Sequence, residues 1–389
     1  MEKKLHHDID DLVAEILPPQ KLAVVDDVNT EAALGGQVFK ALKGRFPCTH
    51  VTLKDNVTAD DHFVQYLRTQ TLSADALVAV GSGTINDLCK YVAHLDRKPY
   101  IVFPTAASMN GYLSANASIT SQGHKKTMLA FMPLAVMCDM SVISAAPARL
   151  TKSGFGDSLA RSTAQADWLL SHLLLDTHYE TAPFELLAEL EPELFDNARG
   201  IAKADVGSIT LLTKTLLLSG LGMTISGGSY PASQGEHMIS HTYEMINSLP
   251  AKQNKAPLHG ESIAVTTLTM ARLQEALLQS KPIIRPDDFS SEQIIHLLGS
   301  ETATQARKAF DGKCALIEHS LEEDNLKNWD ETAAQIEKHS VPSKQIEALL
   351  KTAECPVVPG DIGWHEKDYE IATNYARYTR ERFTFLDLK

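Results

Sequence analysis

Apolar and polar runs in the first part of the chain predict strands that alternate with helices. The run Ala76–Val80 is entirely apolar, as expected for a strand buried on both faces of a parallel sheet. Lys21–Val25 and Tyr100–Phe103 are similar short runs, and His50–Leu53 is a weaker one. Helical spacing between these runs, for example from Thr30 onward, completes the pattern of an α/β domain.

A glycine-rich turn follows the clearest of these strands. Val80 leads directly into Gly81-Ser82-Gly83-Thr84, and Ile85, Leu88, Val92 and Leu95 then recur at helical spacing. Such a turn lets backbone N–H groups approach a phosphate at the positive end of a helix, although a plain strand-to-helix turn has the same pattern. Asn86 replaces the third glycine of the common dinucleotide fingerprint, and no acidic residue follows at the usual distance. Asp27, at the end of the first strand, is a candidate for the ribose hydroxyls or else an exposed loop residue.

Further loops and strands are predicted at the same edge of the sheet. Pro104–Tyr112 is a loop of small residues at the carboxyl end of a strand, where ligands bind in open α/β sheets. Ser118–Thr120 and Lys126–Leu129, joined through Gln122-Gly123, predict an antiparallel hairpin. Leu134–Cys138 predicts another strand. Lys125 and Lys126 are either solvated or in contact with a ligand.

From Pro147 onward the pattern is helical. We place the domain boundary near Ala148, so that residues 1–148 form an α/β domain and residues 149–389 an all-helical domain. Gly227–Pro231 and Pro257 interrupt the helices. Between Glu318 and Lys351, apolar and charged residues alternate at helical spacing, which is typical of solvated helices in a bundle.

Length and charge narrow the classes of function. A chain of 389 residues is long enough for two domains, and a net charge of −13 argues against a nucleic-acid or anionic-membrane partner. The N-terminal residues carry no apolar signal segment, and no apolar run approaches the length of a membrane span. We therefore expect a cytoplasmic protein. Its five scattered cysteines, without a C-x-x-C pair, indicate reduced and mostly buried thiols.

A group of polar residues in the helical half suggests a metal site. His237 and His241 are four residues apart, so a helix places both imidazoles on one face. Asp157 and His259 each lie beside a glycine-marked turn. One carboxylate and two imidazoles make a plausible set of three protein ligands for a divalent metal, with a position left for water or substrate. A pair of histidines at this spacing also occurs as an ordinary surface or core pair.

Taken together, the motifs make the chain resemble the glycerol-1-phosphate dehydrogenases, a branch of the iron-containing alcohol dehydrogenase and dehydroquinate synthase-like superfamily. The resemblance rests on seven segments in order: Val80–Leu88, Phe103–Tyr112, Lys125–Thr127, Gly154–Ser158, Pro231–Ser233 with Glu236–His241, His259-Gly260 and Arg380–Leu388. It implies a Rossmann-like N-terminal domain followed by an all-helical C-terminal domain.

The resemblance also implies roles for particular residues. Asp157, His237 and His259 would hold the metal, while Asp157 and His241 would contact the substrate. The binding site for the nicotinamide dinucleotide, NAD or NADP, would be lined by the turn after Val80, by the loop after Phe103 and by Ser114. Its residues would be Gly81, Ser82, Gly83, Thr84, Ile85, Thr105, Ala106, Ala107, Ser108 and Ser114. We add Asp27 and Lys126 as cofactor-binding candidates. For one oxygen and two nitrogen ligands, Zn²⁺ is our first choice, and Ni²⁺ and Fe²⁺ suit the same ligands.

Two positions depart from the family pattern. Asn110 stands where the family usually presents an Asp to the substrate, and Tyr230 stands where relatives often have Arg. Asn110 thus presents a neutral amide in place of a carboxylate, and Tyr230 does not supply a cation that could bind a phosphate. Lys125, Lys126, Lys152 and Arg161 are candidates to supply that cation.

We therefore expect a metal-dependent, NAD(P)-linked enzyme that interconverts glycerol-1-phosphate and dihydroxyacetone phosphate, with Asp157, His241 and Asn110 as catalytic candidates. Three alternatives stay open: a dehydrogenase of the same fold acting on glycerol or another unphosphorylated polyol, a dehydroquinate synthase-like cyclase, and a binding protein without catalysis. The expected partners are a small-molecule polyol phosphate and further copies of the chain in a homo-oligomer, a dimer or larger.

Overall fold

The structure, a computed structural model, describes residues 8–18, 20–54, 56–121, 124–247, 256–322 and 326–389, without the side chains of 124, 125 and 319–322. The chain forms two compact units. The first runs to Phe155 and includes Leu186–Gly228, and the second comprises Gly156–Glu185 and Ser229–Lys389.

A four-stranded parallel sheet forms the centre of the first unit. Its strands are β1 (Leu22–Asp27), β2 (Cys48–Leu53), β3 (Ala76–Gly81) and β4 (Tyr100–Pro104), in the spatial order β2-β1-β3-β4. All three pairings are parallel. The strands predicted from the four apolar runs are confirmed.

Side chains of the sheet enter two separate cores. In β3, Leu77 and Ala79 belong to one apolar cluster, whereas Ala76, Val78 and Val80 belong to the other. The strand alternation sends successive side chains to opposite faces, and every residue of β3 is buried. This burial on both faces explains why the strand is a continuous apolar run.

The predicted strand at Leu134–Cys138 is wrong in part. The segment lies parallel to β4, but it forms a single bridge, between Val102 and Val136, supported by three backbone hydrogen bonds to Tyr100 and Val102. Pro133 precedes the segment and lacks an N–H donor. The pairing is therefore too short for a full strand.

The predicted hairpin is confirmed. β5 (Asn116–Ser121) and β6 (His124–Leu129) form an antiparallel two-stranded sheet. The predicted turn at Gln122-Gly123 lies outside the described residues.

Helices surround the sheet in the first unit. They are α1 (Ile9–Ile16), α2 (Val28–Thr30), α3 (Gly36–Leu42), α4 (Asp61–Gln70), α5 (Gly83–Leu95) and α6 (Met140–Ser144). A π-helical turn, Glu31–Gly35, joins α2 to α3, and a 3-10 turn, Gly111–Leu113, follows β4. α7 (Ala148–Leu175) starts in the first unit and continues into the second.

Three more helices belong to the first unit although they follow the predicted domain boundary. They are α9 (Leu190–Asp196), α10 (Ala198–Ala202) and α11 (Val206–Ile225), which come after α8 (Ala182–Glu185) of the second unit. In α11, Thr224 Oγ1 donates to the carbonyl of Leu113 at 2.9 Å and accepts from the N–H of Ala115 at 3.0 Å. Long-range contacts of this kind assign 186–228 to the first unit, so the compact units differ from a division at residue 148.

α11 is also the one helix among the described residues that is long and apolar enough to cross a membrane. Of its most apolar window, 61% is buried inside the protein. Buried core helices pass the same test of length and composition, and Lys214 lies within this helix.

The remaining helices form the second unit. They are α12 (Gly235–Ile246), α13 (His259–Leu278), α14 (Ser291–Leu298), α15 (Ser300–Glu322), α16 (Trp329–Glu337), α17 (Ser343–Thr352) and α18 (Glu366–Tyr375), with 3-10 turns at Pro359–Ile362, Ala376–Tyr378 and Phe385–Asp387. One apolar cluster of the unit joins α7, α12, α13 and the C-terminal segment, including Leu170, Ile239, Met270 and Phe385. The predicted fold, a Rossmann-like α/β part and a helical part, is confirmed.

The charged stretch predicted to form solvated helices lies in α15, α16 and α17. Where it is described, apolar side chains such as Ile336 and Leu350 are buried while most of the charged ones are exposed. All five cysteines are free, but Cys89 and Cys355 alone are buried, and the other three are half-buried. The expectation of mostly buried thiols was therefore too strong.

Candidate metal and dinucleotide sites

Asp157, His237 and His259 converge in the second unit. One donor atom from each lies within 4.8 Å of the other two, and Asp157 Oδ1 is 3.9 Å from His237 Nε2 and 3.6 Å from His259 Nε2. Ligand atoms around a tetrahedral metal with bonds of about 2.1 Å are roughly 3.4 Å apart. The donor set therefore fits a divalent cation, and the two distances from Asp157 exceed the tetrahedral spacing by only a few tenths of an ångström.

Two glycines bring the carboxylate next to the second imidazole. A Cβ at Gly156 of α7 would lie 2.4 Å from the carbonyl oxygen of Gly260 and 2.9 Å from Ala264 Cβ, both in α13. Glycine at this position is what allows the two helices to approach so closely. As a result Asp157, the next residue of α7, lies beside His259, the first residue of α13.

Glu236 orients the first imidazole. Its Oε1 lies 2.8 Å from His237 Nδ1, and the carboxylate also accepts from the N–H of Gln234 at 2.7 Å and from Thr163 Oγ1 at 3.1 Å. Burial acts to raise the pKa of Glu236, but these bonds and the neighbouring His237 lower it below its ordinary value. A carboxylate on Nδ1 is a common way to fix a metal-binding histidine, because it leaves Nε2 for the metal.

A second buried carboxylate holds the start of α12. Asp167 accepts from the N–H of Gly235 at 2.9 Å, from the N–H of Phe385 at 3.0 Å and from Gln274 Nε2 at 3.2 Å. Burial, followed by the charge of Glu236, raises the pKa of Asp167 to about 8. Asp167, in α7, thus bonds to α13, to the C-terminal segment and to Gly235, the first residue of the helix that carries His237.

His241 lies beside the three donors but outside their cluster. Its ring centroid is 6.0 Å from that of His237 and 6.1 Å from that of His259. Arg380 Nη2 also approaches His241 Nδ1, at 3.5 Å. His241 therefore adjoins the three donors and a guanidinium group.

The predicted phosphate turn lies in the first unit. A Cβ at Gly81 would lie 2.6 Å from Ile85 Cβ, so glycine is needed for α5 to turn back directly after β3. Ser82 occupies the N-cap position of α5, and within the described residues its side chain makes no capping bond. Helix geometry gives the first-turn N–H groups of Gly83, Thr84 and Ile85 no acceptor within the helix, which is the property that anion sites at helix N-termini use.

The loop after β4 reaches the same edge of the sheet. Gly81 pairs with Pro104 in the parallel ladder, and the Thr105 N–H donates to the Gly81 carbonyl at 3.2 Å. Thr105, Ala106, Ala107 and Ser108 are all buried. The structure thus brings the two predicted cofactor loops together.

Ser114 is held by a buried lysine that the sequence analysis missed. Lys90 Nζ donates to the carbonyls of Gly111, Ser114 and Asn116 and to Ser114 Oγ. Lys90 is fully buried, and burial lowers its pKa to about 8. A lysine between Cys89 and Tyr91 in a mostly apolar helix was the available signal.

Three other candidates have local roles in the structure. Asp27 caps α2 by accepting from the N–H groups of Asn29 and Thr30, each at 2.9 Å. Lys126 lies opposite Ile119 across the hairpin, and among the described residues no hydrogen bond or ion pair joins it to the Gly81 or Thr105 loops. Asn110 Nδ2 donates to Ser219 Oγ at 3.4 Å. Their ligand-binding roles stay predictions.

Arg380 and Arg382 are further site residues to which the sequence analysis gave no role. Arg382 donates to the carbonyl of Ser233 and, at 2.9 Å, to Ser229 Oγ. Its guanidinium carbon also lies 4.5 Å from the ring centroid of Tyr230. These contacts join residues about 150 positions apart along the chain, which no local pattern indicates.

A family model and a comparison with solved structures together assign the fold to a class. A family model described as iron-containing alcohol dehydrogenase matches residues 3–147. A halo-thermophilic archaeal alcohol dehydrogenase from a Red Sea brine pool aligns with a TM-score of 0.64 at 14% identity, over 98% of this chain and 91% of that one. The molecule therefore has the fold of the iron-containing alcohol dehydrogenases.

Sequence comparison narrows the class to one family. A protein from Halalkalibacterium halodurans named glycerol-1-phosphate dehydrogenase [NAD(P)+] is 34% identical over 371 residues, which is 94% of this chain and 85% of the relative. One of the same name from Thermococcus kodakarensis is 32% identical, over 65% of this chain and 70% of the relative. The chain belongs to the glycerol-1-phosphate dehydrogenase family.

Proposed function

We propose that this protein is a metal-dependent, NAD(P)-linked oxidoreductase that interconverts sn-glycerol-1-phosphate and dihydroxyacetone phosphate. Family membership supports the reaction, since the relatives carry that activity and that cofactor in their names. The observation that carries the proposal is the convergence of Asp157, His237 and His259 on one point in the second unit.

These three residues would hold the metal. Zn²⁺ suits one oxygen and two nitrogen ligands, and Ni²⁺ or Fe²⁺ suits them too, so the donor set alone does not choose among these metals. When bound, a divalent metal supplies Lewis-acid polarisation of a carbonyl oxygen and stabilises the corresponding alkoxide. Glu236 supports this role by fixing the orientation of the His237 ring.

His241 is the proposed proton-handling residue. It lies one helical turn after His237, with its ring about as far from His237 as from His259. An imidazole beside the reacting oxygen can give a proton to the developing alkoxide during reduction and take it back during oxidation. It can also orient a substrate hydroxyl.

The dinucleotide would bind to the first unit. NAD(P) supplies or accepts the hydride, and the protein's part is to hold it. The N–H groups at the start of α5 are suited to the pyrophosphate, and the buried loop Thr105–Ser108 lies at the same sheet edge. Asp27 and Lys126 are further proposed contacts of the cofactor.

A second candidate function is oxidation of glycerol or another unphosphorylated polyol. It is favoured by Asn110 and Tyr230, two neutral residues where the family pattern has a carboxylate and a cation. Net formation of NADH or NADPH from a polyol would support either dehydrogenase and exclude a cyclase, which returns its dinucleotide unchanged.

The test combines metal analysis with a substrate panel. The purified protein should contain about one divalent metal per chain and should reduce dihydroxyacetone phosphate faster than free dihydroxyacetone, with NADH and NADPH compared directly. Asp157→Ala and His237→Ala should lose the metal and the activity, whereas His296→Ala, at an exposed site in α14, should retain both. Full activity of a folded Asp157→Ala variant in the presence of a chelator would refute the proposal.

We also propose that the protein is a homo-oligomer, a dimer or larger. Light scattering coupled to size-exclusion chromatography gives the mass of the particle in solution directly. A single mass equal to that of the chain, 42.6 kDa, would contradict this proposal without affecting the proposed reaction.

A further inference from the structure

We infer that Arg380 and Arg382 form an anion-binding subsite of the second unit, together with Ser229 and Ser233, and that it receives the phosphate group of the substrate. The inference rests on the proposed function, because it assigns residues to the phosphate of that substrate. The sequence analysis offered Lys125, Lys126, Lys152 and Arg161 for this task.

The two guanidinium groups are held close together around one short segment. Arg380 Nη1 donates to Ser233 Oγ at 3.3 Å, and Arg382 donates to the Ser233 carbonyl and to Ser229 Oγ. Both side chains are only partly exposed. Two hydroxyls and two guanidinium groups thus surround the same place, which is the donor set that phosphate prefers.

The two arginines form no salt bridge among the described residues, and the charge of Glu236 reaches them only from beyond salt-bridge distance. By contrast, the buried Arg377 is paired with Asp288 at 3.0 Å and with Asp387 at 3.1 Å. Placing two like charges together in a partly buried site is unfavourable unless an anion neutralises them.

The same conclusion follows from the acid–base behaviour of the pair. Burial, and then the neighbouring charge of Arg380, hold the pKa of Arg382 below its ordinary value. Burial likewise lowers the pKa of Arg380. A bound phosphate would relieve this repulsion, so binding of an anion and full protonation of the pair favour each other.

Tyr230 gives the subsite its shape. Its ring lies between the guanidinium of Arg382, 4.5 Å from the ring centroid, and the indole of Trp168, stacked at 5.6 Å. Guanidinium groups bind well on such aromatic faces. Position 230 itself has no cation, but the guanidinium of Arg382 lies beside it and is positioned by the Tyr230 ring.

The location suits a small substrate. Arg380 reaches His241, and His241 is adjacent to two of the three metal-binding candidates. In dihydroxyacetone phosphate the carbonyl carbon and the phosphorus are only a few bonds apart. His241 therefore adjoins both the proposed position of the carbonyl, at the metal, and that of the phosphate, at the arginines.

Charge-neutral variants of each arginine test the subsite. For Arg380→Gln and Arg382→Gln, the ratio of kcat/KM for dihydroxyacetone phosphate to that for dihydroxyacetone should fall about ten- to hundredfold, the range for losing a hydrogen bond to a charged group. Arg380→Lys and Arg382→Lys keep the positive charge, so in these variants the ratio should fall less. Arg272→Gln, whose arginine is paired with Glu347 on the surface, should leave the ratio unchanged.

A binding measurement separates this inference from the proposed reaction. Calorimetric titration with inorganic phosphate should show binding to the wild-type protein and to Arg272→Gln, and at least tenfold weaker binding to the two Gln variants. If dihydroxyacetone phosphate is turned over but neither the ratio nor phosphate binding changes in folded Gln variants, the subsite is refuted and the reaction stands. If phosphate binding depends on the arginines but dihydroxyacetone phosphate is not turned over, the proposed reaction is refuted, and what stands is anion binding by the two arginines.

Discussion

Glu236 and His237, adjacent residues of α12, are joined by a buried contact of 2.8 Å between Oε1 and Nδ1. Glu236 lies in the first turn of α12 and also accepts from the Gln234 N–H at 2.7 Å, so its carboxylate is held in place from two sides of the chain. The contact fixes which nitrogen of His237 carries the proton. It leaves Nε2 directed at Asp157 and His259.

Replacing Glu236 should weaken metal binding without removing a ligand. In Glu236→Ala, the His237 ring loses its partner at Nδ1, and metal affinity should fall about 10- to 100-fold, the usual effect of losing such a partner. Competition with a chromophoric chelator measures this. Glu370→Ala, at an exposed position of α18, serves as the control, and an unchanged metal affinity in Glu236→Ala would show that the contact has no such role.

Gly156→Ala should separate α7 from α13. The new Cβ would lie 2.4 Å from the Gly260 carbonyl oxygen, so the helices must move, at a cost of about 1–3 kcal/mol. Asp157 and His259 then move apart, and metal content should fall together with the melting temperature. Gly312→Ala is the matched control, because its Cβ meets nothing within 4 Å and alanine is the better helix former by about 1 kcal/mol. Equal metal content in both variants would contradict this account.

Lys90→Met should destabilise the first unit. The substitution removes the Lys90 donor from the carbonyls of Gly111, Ser114 and Asn116. Ser114 Oγ still donates to Gly111 and Asn116, so the main cost is the buried Ser114 carbonyl, about 1–3 kcal/mol. Lys98→Met is the comparison, because Lys98 donates to two carbonyls nearer the surface. Lys98→Met should therefore lower the free energy of unfolding less than Lys90→Met does. Urea unfolding monitored by circular dichroism measures both.

The stability of the wild-type protein should also depend on Lys90 through pH. Its pKa is about 8 in the folded protein and 10.5 when unperturbed, so between these values the unfolded chain binds more protons. The free energy of unfolding should therefore rise with pH across this window, relative to Lys90→Met. If the free energies of unfolding of the wild type and of Lys90→Met instead differ by the same amount from pH 7.5 to about 10.5, that result would contradict the claim that Lys90 is buried in its charged form at neutral pH.

Asn110→Asp tests whether this residue contacts substrate. A carboxylate accepts more strongly from hydroxyl groups than an amide does, by roughly 1 kcal/mol, so kcat/KM for glycerol-1-phosphate should rise about fivefold, and less for alcohols with a single hydroxyl. The dissociation constant of NAD(P) should not change. Ser219→Ala removes the neighbour of Asn110 in the structure and controls for movement of the loop. Identical substrate preferences across the panel would place Asn110 outside the substrate site.

Local patterns were sufficient for most of the first unit. The apolar run Ala76–Val80 indicated a strand buried on both faces, and the clash that a Cβ at Gly81 would cause explains why a glycine ends it. Leu134–Cys138 has a similar apolar pattern but forms one bridge. Periodicity shows which residues prefer burial, whereas strand pairing also requires a partner of matching length.

Several site residues could not be found in this way. Lys90, Glu236 and Arg382 act through contacts with carbonyls or rings that a sequence does not place. The assignment of 186–228 to the first unit depends in the same way on distant contacts such as Thr224 with Leu113.

The sequence by itself determined the alternation of strands and helices in the first unit, because apolar spacing carries that information directly. Its resemblance to a family supplied Asp157, His237 and His259 as metal-binding candidates. Tertiary structure alone decided how those candidates are arranged. Asp157 and His259 are a hundred residues apart in the chain, and they meet because Gly156 lets two helices come within contact distance. Likewise Arg382 lies over Tyr230 because the C-terminal segment packs into an apolar cluster of the second unit, where burial of Phe383 and Phe385 stabilises it.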